Sequence, residues 1–278
     1  MDAFAAFDGI LCIALSKAHA RIAHVRRMAA RLKIPIEFYF VTPSPRSGLI
    51  GCFASHIGAL SLALDRGLEN VLIFEDDFVP SPSYSPAVIA AVGRFCRRDA
   101  TWECVKLGFG LEDMPSVVGA VRYMAAGRGA ELLVGPELSV GPGGAYTVRY
   151  TGLLAHALVV SRRGMEKLVR AGEAELARPD REIQHYDMWM RSVLSPRESH
   201  CVVPVQFDQA WDFPTTNSLP PGMKDGLFES VLRRFQWLNA VTLLTYRATF
   251  LHPMREGIAI AAAIAVAAAI CISLFSYV

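Results

Sequence analysis

Three consecutive carboxylates, Glu75, Asp76 and Asp77, close the apolar run Val71 to Phe74, and they are the residues of this chain best suited by type and spacing to do chemistry. Side chains alternate along an extended strand, so a continuing strand puts Glu75 and Asp77 on one side and Asp76 on the other. Two hard oxygen donors on one side can hold Mg²⁺ or Mn²⁺ and leave coordination positions for a diphosphate. Such a metal would neutralise a nucleoside diphosphate leaving group. A solvated acidic turn after a strand fits the triplet as well, and on these three residues alone it is the more ordinary of the two readings. Cys52 and His56 are spaced to share a helix face, but no second pair at ligand spacing accompanies them, so no zinc constellation is expected.

The elements that must position these groups are legible as alternating strands and helices. Gly9 to Leu15 (GILCIAL) is a short apolar run suited to a buried strand. Lys17 to Leu32 shows helical spacing that turns Ile22, Val25, Ala29 and Leu32 to a sheet and Arg26, Arg27 and Arg31 to water. Ile36 to Val41 is a second strand ended by Pro43-Ser44-Pro45, Gly51 to Leu64 a helix, and Val71 to Phe74 a third strand. Val105 to Phe109 and Leu153 to Val160 add strands, and Arg163 to Ala171 and Glu182 to Val193 add helices. The Gly- and Pro-rich stretch Gly110 to Tyr150 suits irregular loops and short strands around a site. Cys201 to Asn217 is strand-like and then loop-like, with Trp211 and Phe213 exposed. This pattern predicts an α/β sandwich with a mainly parallel sheet. Ligands of such sheets gather beyond the carboxyl ends of the strands, where Glu75 to Asp77 lie.

Composition sets the outer bounds. Of 278 residues 53% are hydrophobic and 19% charged, which excludes disorder, and a net charge of +2 disfavours a nucleic-acid partner. The mean hydropathy of +0.31 is high for a soluble domain with this many Arg and Asp residues. Its source is Ile258 to Val278, which carries no charge and as a helix would span about 30 Å, the thickness of a bilayer core. A buried Ala-rich helix is the competing reading, since eight of those 21 residues are Ala; five Ile with Val266, Leu274 and Phe275 favour the membrane. Arg233, Arg234, Arg247 and Arg255 upstream would hold the globular part in the cytoplasm. Gly226 to Leu251 has the spacing of an amphipathic helix that packs on the domain or lies on the membrane. Asp2, Asp8 and the lack of a basic n-region make the N-terminus a poor signal peptide, and the six scattered cysteines read as reduced thiols. The expected organisation is a catalytic domain over 1–220, an amphipathic helix over 226–251 and a transmembrane helix over 257–278.

The stretch GCFASHIGALSLALDRGLENVLIFEDD, with its Gly51-Cys52-x-x-Ser55-His56 segment, helix, and strand ending in Glu75-Asp76-Asp77, resembles the signature of glycosyltransferase family 25. That family includes lipopolysaccharide and procollagen galactosyltransferases. Further segments match in order: the early strand and helix with Arg21, Val105-Lys106-Leu107-Gly108, HALVVSRRGMEKLV at His156 to Val169, and Tyr186-Asp187-Met188-Trp189. The likeness spans about residues 9 to 215. Two departures stand out. Val41-Thr42-Pro43-Ser44 replaces the family's Ala-x-Asp-Gly segment, and Leu158 stands where an aromatic Tyr that bears on acceptor stacking is common.

The resemblance implies a GT-A-like fold in which Glu75, Asp76 and Asp77 bind metal and nucleotide sugar in the manner of a DxD motif, with Glu75 and Asp77 as ligands of Mn²⁺ or Mg²⁺. It implies that Ser55 and His56 line the site, although a histidine beside a cysteine on a helix is as readily a satisfied core residue. Arg21 either reaches the diphosphate or belongs to the solvated face of a helix with four arginines, and Lys106 is open to the same two readings. Asp187 is the expected general base, taking the acceptor hydroxyl's proton in an inverting transfer, with Asp180, Glu182 and Asp208 as competitors. The expected activity is hexose transfer, from UDP-galactose, to a saccharide acceptor on a lipid-linked glycan such as lipopolysaccharide. The alternatives are a non-catalytic sugar- or partner-binding descendant and a metal-dependent phosphoryl transferase.

Overall fold

GILCIAL forms β1 (Gly9–Leu15), and its alternating side chains split between two apolar layers. Ile10 and Cys12 join one, Leu11 and Ile13 the other. The same division continues through β3 (Asn70–Glu75), where Leu72 and Phe74 face the first layer and Val71 and Ile73 the second. Strands apolar on both faces must be covered on both, and they are. α1 (His19–Leu32) and α3 (Pro86–Arg98) contribute Val25, Val88, Ile89 and Val92 to the first layer. α2 (Gly48–Asp65), α4 (Arg162–Leu176) and α5 (Tyr186–Val193) contribute Phe53, Leu60, Leu168 and Trp189 to the second. The structure, a computed structural model, describes residues 2–99, 101–109, 134–138, 145–149, 154–178, 183–210 and 213, all within one unit spanning Met1–Asp225. The amphipathic and transmembrane segments expected over 226–251 and 257–278, and the competitors Asp180 and Glu182, lie outside the described residues.

The central sheet has eight described strands in the order β2-β1-β3-β8-β5-β9-β7-β6. The further members are β2 (Glu37–Val41), β5 (Cys104–Lys106), β6 (Val134–Leu138), β7 (Ala145–Arg149), β8 (Ala157–Ser161) and β9 (Ser199–Val203). β1 pairs in parallel with β2 and β3, and β5 with β9, whereas β8 runs against β3 and β5, and β7 against β6 and β9. Six strands therefore point one way, and the sheet is mixed by pairing. β4 (Phe78–Pro80) and β10 (Phe207–Gln209) form a separate antiparallel ribbon just past the acidic triplet.

The expected strands and helices appear with small shifts at their ends, but α3 and the β4–β10 ribbon were not expected. Among the described residues α2 is the helix long and apolar enough to cross a membrane, yet its buried positions, Phe53 to Ala63, pack inside the second layer. Leu158 is fully buried in β8, so it stacks on no sugar and the departure there concerns the core.

The helix α4 is fastened at its first turn. Ser161 Oγ accepts the Gly164 amide at 3.2 Å and donates to the Trp102 carbonyl at 2.8 Å. Glu103, fully buried, pairs with Lys167 and lies 3.4 Å from Arg163, and it accepts the Ser195 amide at 2.8 Å. A Cβ at Gly164 would collide with the Glu103 carbonyl oxygen, a backbone atom that cannot swing away. Gly164→Ala should therefore destabilise the domain by about 1–3 kcal/mol in urea unfolding, although Ala is the better helix former. An unchanged or raised midpoint would show that the helix start has room to shift.

Candidate functional site

The carboxyl edge of the sheet collects the chemistry. β3 ends at Glu75 and the chain turns at Asp76 and Asp77 before β4, so the extended geometry expected across the triplet holds only as far as Glu75. Glu75 points to the α2 side, where His56 waits. Arg21 of α1 stands over the two aspartates: its Nη1 pairs with Asp76 and lies 3.4 Å from Asp77 Oδ2. The Arg21 side chain is only 12% exposed, so it belongs to the site and not to the solvated face formed by Arg26, Arg27 and Arg31. Phe213 is not free either: its ring centroid lies 5.2 Å from the Arg21 guanidinium carbon and 5.2 Å from the His24 ring. His24, buried on α1, donates from Nε2 to the Phe78 carbonyl at 2.9 Å and fixes the turn from below.

On the other side His56 is 2% exposed, stacked on Tyr186 with centroids 4.2 Å apart, and its Nε2 lies 3.4 Å from Glu75 Oε1. Its Nδ1 meets the Cys52 carbonyl at 3.0 Å. A carbonyl oxygen only accepts, so this contact places the ring proton on Nδ1 and leaves a lone pair on Nε2. Burial holds the imidazole near 4, against the pull of the Cys52 and Ala155 carbonyls and the Asp187 charge. Glu75 is pushed up, to about 8, by burial and then by the charges of Asp77, Asp187 and Asp76. Asp77 is pushed up to about 6 by burial, with Arg21 opposing. Gln209 of β10 donates to Glu75 Oε2 at 3.2 Å, and the Ala210 amide to the Asp77 carbonyl at 2.6 Å, so the ribbon closes over the triplet. Asp77 Oδ1 is buried with no hydrogen-bond partner.

The remaining expected residues converge on Leu154. Lys106, at the end of β5 and 2% exposed, donates from Nζ to the Leu154 carbonyl at 2.5 Å, and Asp187 Oδ2 accepts the Leu154 amide at 2.8 Å. Leu154 has φ +68°, a left-handed conformation uncommon for a branched residue, and these two side chains hold it there. Lys106 thus acts on the site through Leu154 and is too deeply buried to face a diphosphate directly. Asp187 sits in the first turn of α5 and also accepts the Met188 amide at 2.9 Å through Oδ1. Ser55 is turned back into its helix, donating to the Gly51 carbonyl at 2.6 Å. Of the residues expected from sequence, the triplet, Arg21 and His56 are in direct contact or adjacent. Asp187 joins them through its charge on Glu75, and Ser55 and Lys106 support from within. Gln209, Leu154, His24 and Phe213 were not foreseen.

No protein-family profile and no curated protein matches the chain. The likeness to glycosyltransferase family 25 thus rests on the segments quoted above. Among solved structures, a mannose-1-phosphate geranyltransferase from Thermus thermophilus is similar with a TM-score of 0.33 and 12% identity over 71% of this chain. The match spans 60% of that protein's chain.

The shifted groups define a pH response. A carboxyl raised in the native state keeps its proton after the unfolded chain has lost it, so stability falls as pH rises from the ordinary value to the raised one. His56 and His156, both held near 4 by burial, act in the opposite sense up to their ordinary value of 6.5. Above pH 6.5 the Glu75 contribution is therefore no longer opposed by these histidines. In chelator, wild type should lose about 1–2 kcal/mol relative to Glu75→Gln between pH 6.5 and 8. Parallel stability curves for the two proteins would refute the raised carboxyl.

Proposed function

We propose that this protein is a metal-dependent glycosyltransferase that moves a hexose, galactose from UDP-galactose, to a saccharide acceptor on a lipid-linked glycan such as lipopolysaccharide. The observation that carries the reading is the crowding of Glu75, Asp76 and Asp77 at the carboxyl edge of a mixed α/β sheet, with one buried Asp77 oxygen left without a partner. An unpaired buried carboxylate oxygen beside a second carboxylate is a poor arrangement for the protein alone and a suitable one for a cation. The donors are hard oxygens, which fit Mn²⁺ or Mg²⁺, and Glu75 with Asp77 would hold it. Bound there, such an ion supplies positive charge to the diphosphate leaving group. Arg21 holds Asp76 and Asp77 in register for that task and adds its own positive charge at the phosphate side.

Asp187 is assigned as the base for the acceptor hydroxyl. Its two oxygens each accept one backbone amide, which fixes the carboxylate while leaving lone pairs for a proton. Galactose as the donor sugar and a lipid-linked acceptor follow from the family resemblance and from the expected membrane span, which would confine the enzyme to the surface holding such acceptors.

Two measurements test the reading. UDP-galactose with Mn²⁺ should raise the melting midpoint of wild type, and Asp77→Ala should lose both this shift and donor hydrolysis. No response to any nucleotide sugar in either metal would sink it in favour of a non-catalytic binding protein, and release of monophosphate would point to phosphoryl transfer. Asp187→Asn should lower transfer by about 10²–10⁴-fold while keeping the nucleotide-induced shift. Loss of both together would make Asp187 a clamp on Leu154 and not the base.

A further inference from the structure

Cys52, His56 and Glu75 each offer one ligand atom, and the three atoms lie within 4.8 Å of one another. From sequence the Cys52–His56 pair lacks partners; folding supplies the third from the end of β3. The geometry is that of a site prepared for a cation. The 3.4 Å between His56 Nε2 and Glu75 Oε1 equals the N···O edge of about 3.4 Å expected when both atoms bind one tetrahedral ion at about 2.0–2.2 Å. His56 Nε2 is buried without a hydrogen-bond partner. Its other nitrogen, Nδ1, meets the Cys52 carbonyl at 3.0 Å and lies 3.8 Å from Cys52 Sγ; a carbonyl on the second ring nitrogen is the arrangement that metal-binding histidines use to set tautomer and ring orientation. Tyr186 stacked on the ring keeps it from turning away.

We propose that Cys52 Sγ, His56 Nε2 and Glu75 Oε1 form a binding site for a borderline divalent cation of the Zn²⁺ or Co²⁺ class, with a fourth tetrahedral position open to solvent or a substrate oxygen. Closing the ligands onto an ion asks for side-chain shifts of about 1 Å. The Cys52 thiol and the Glu75 carboxyl, itself held up by burial, each release a proton to solvent as their bonds to the ion form, and thiolate and carboxylate together balance the charge of the ion. Burial and the surrounding acids hold that thiol protonated in the absence of a cation. A thiolate ligand separates this site from a purely oxygen-lined one, since Mn²⁺ and Mg²⁺ favour hard donors. The proposal stands independently of glycosyl transfer and uses the Glu75 oxygen that faces α2, whereas Oε2 faces Gln209.

The test is a Co²⁺ titration of the full chain, stripped with chelator and held in detergent. The expected result is one equivalent bound, with a thiolate-to-cobalt charge-transfer band in the near ultraviolet and visible bands of tetrahedral intensity, both bleached by Zn²⁺ and not by Mn²⁺. Cys52→Ala should abolish the charge-transfer band and weaken Co²⁺ at least tenfold, and His56→Gln should weaken it similarly, with circular dichroism confirming that both variants fold. Cys96→Ala, altering a buried thiol in the other layer, should keep the band. Absence of a charge-transfer band in wild type would overturn the site, as would its persistence in Cys52→Ala. Should either substitution unfold the chain, loss of the band on alkylating wild type, with Co²⁺ protecting Cys52 from the reagent, decides for the site, and no protection decides against it. Failure of sugar transfer with the cobalt spectrum intact would count only against the function proposed above.

Discussion

The structure turns on one constraint: three negative charges placed in succession at the end of a buried strand. Two unit charges about 4 Å apart interact by about 4 kcal/mol in the environment typical of a protein surface, so an uncompensated triplet would oppose folding on the scale of a whole domain's stability. Compensation comes from both faces of the sheet. Arg21 reaches Asp76 and Asp77 from α1 on one side, and on the other Glu75 is left to protonation, to Gln209 and to the neutral His56. The division follows from where the strand stops: β3 ends at Glu75, and the turn after it carries Asp76 and Asp77 together to the α1 side. A chain with no use for these acids would be more stable with polar turn residues in their place.

Local strain gathers around the same edge. Leu154 in a left-handed conformation costs on the order of 1–3 kcal/mol, and it is held by Lys106 from β5 and Asp187 from α5. A lysine is rarely this deeply buried, and here its ammonium donates to the Leu154 carbonyl inside the fold. The arrangement couples three separate elements, so that displacing α5 would release Leu154 and with it the backbone leading into β8. Gly108, two residues past the end of β5, has no space for a side chain between His156 and the Phe207 carbonyl, which ties the β10 end of the ribbon to the same point. The site is thus built from rigid pieces of the sandwich, with the ribbon closing over it.

Much of the frame was legible because burial on both faces leaves a strong mark. GILCIAL and VLIF could hardly be anything but central strands, and the arginines of α1 marked its outer face. The acidic triplet was legible for the same reason, as charge standing next to an apolar run. What could not be read were contacts made across the sheet. Arg21 looks like Arg26 or Arg27 in sequence, and only the crossing of α1 over the β3 end distinguishes it. α3 passed unnoticed behind Pro86, although Val88, Ile89 and Val92 carry a helical stripe. Leu154 has no sequence signature for positive φ, and Cys52–His56 lacked a partner until the register of β3 brought Glu75 opposite.

Glu75 therefore sits between two kinds of donor, thiol and imidazole on one side and carboxylate on the other. By intrinsic affinity a nitrogen- and sulfur-containing set prefers Zn²⁺ over Mn²⁺, and on that ground alone the softer ion would always win. The buried thiol acts against this. Its raised pKa means that an ion must displace a tightly held proton before gaining the sulfur, and that cost falls on the softer site alone. The oxygen pair Glu75–Asp77 carries a smaller cost of the same kind, because burial lifts Asp77 only to about 6 and Glu75 to about 8. Proton competition can in this way narrow the gap that ligand softness opens. The same burial that makes the triplet expensive to keep would then also regulate which cation the two proposed sites take up.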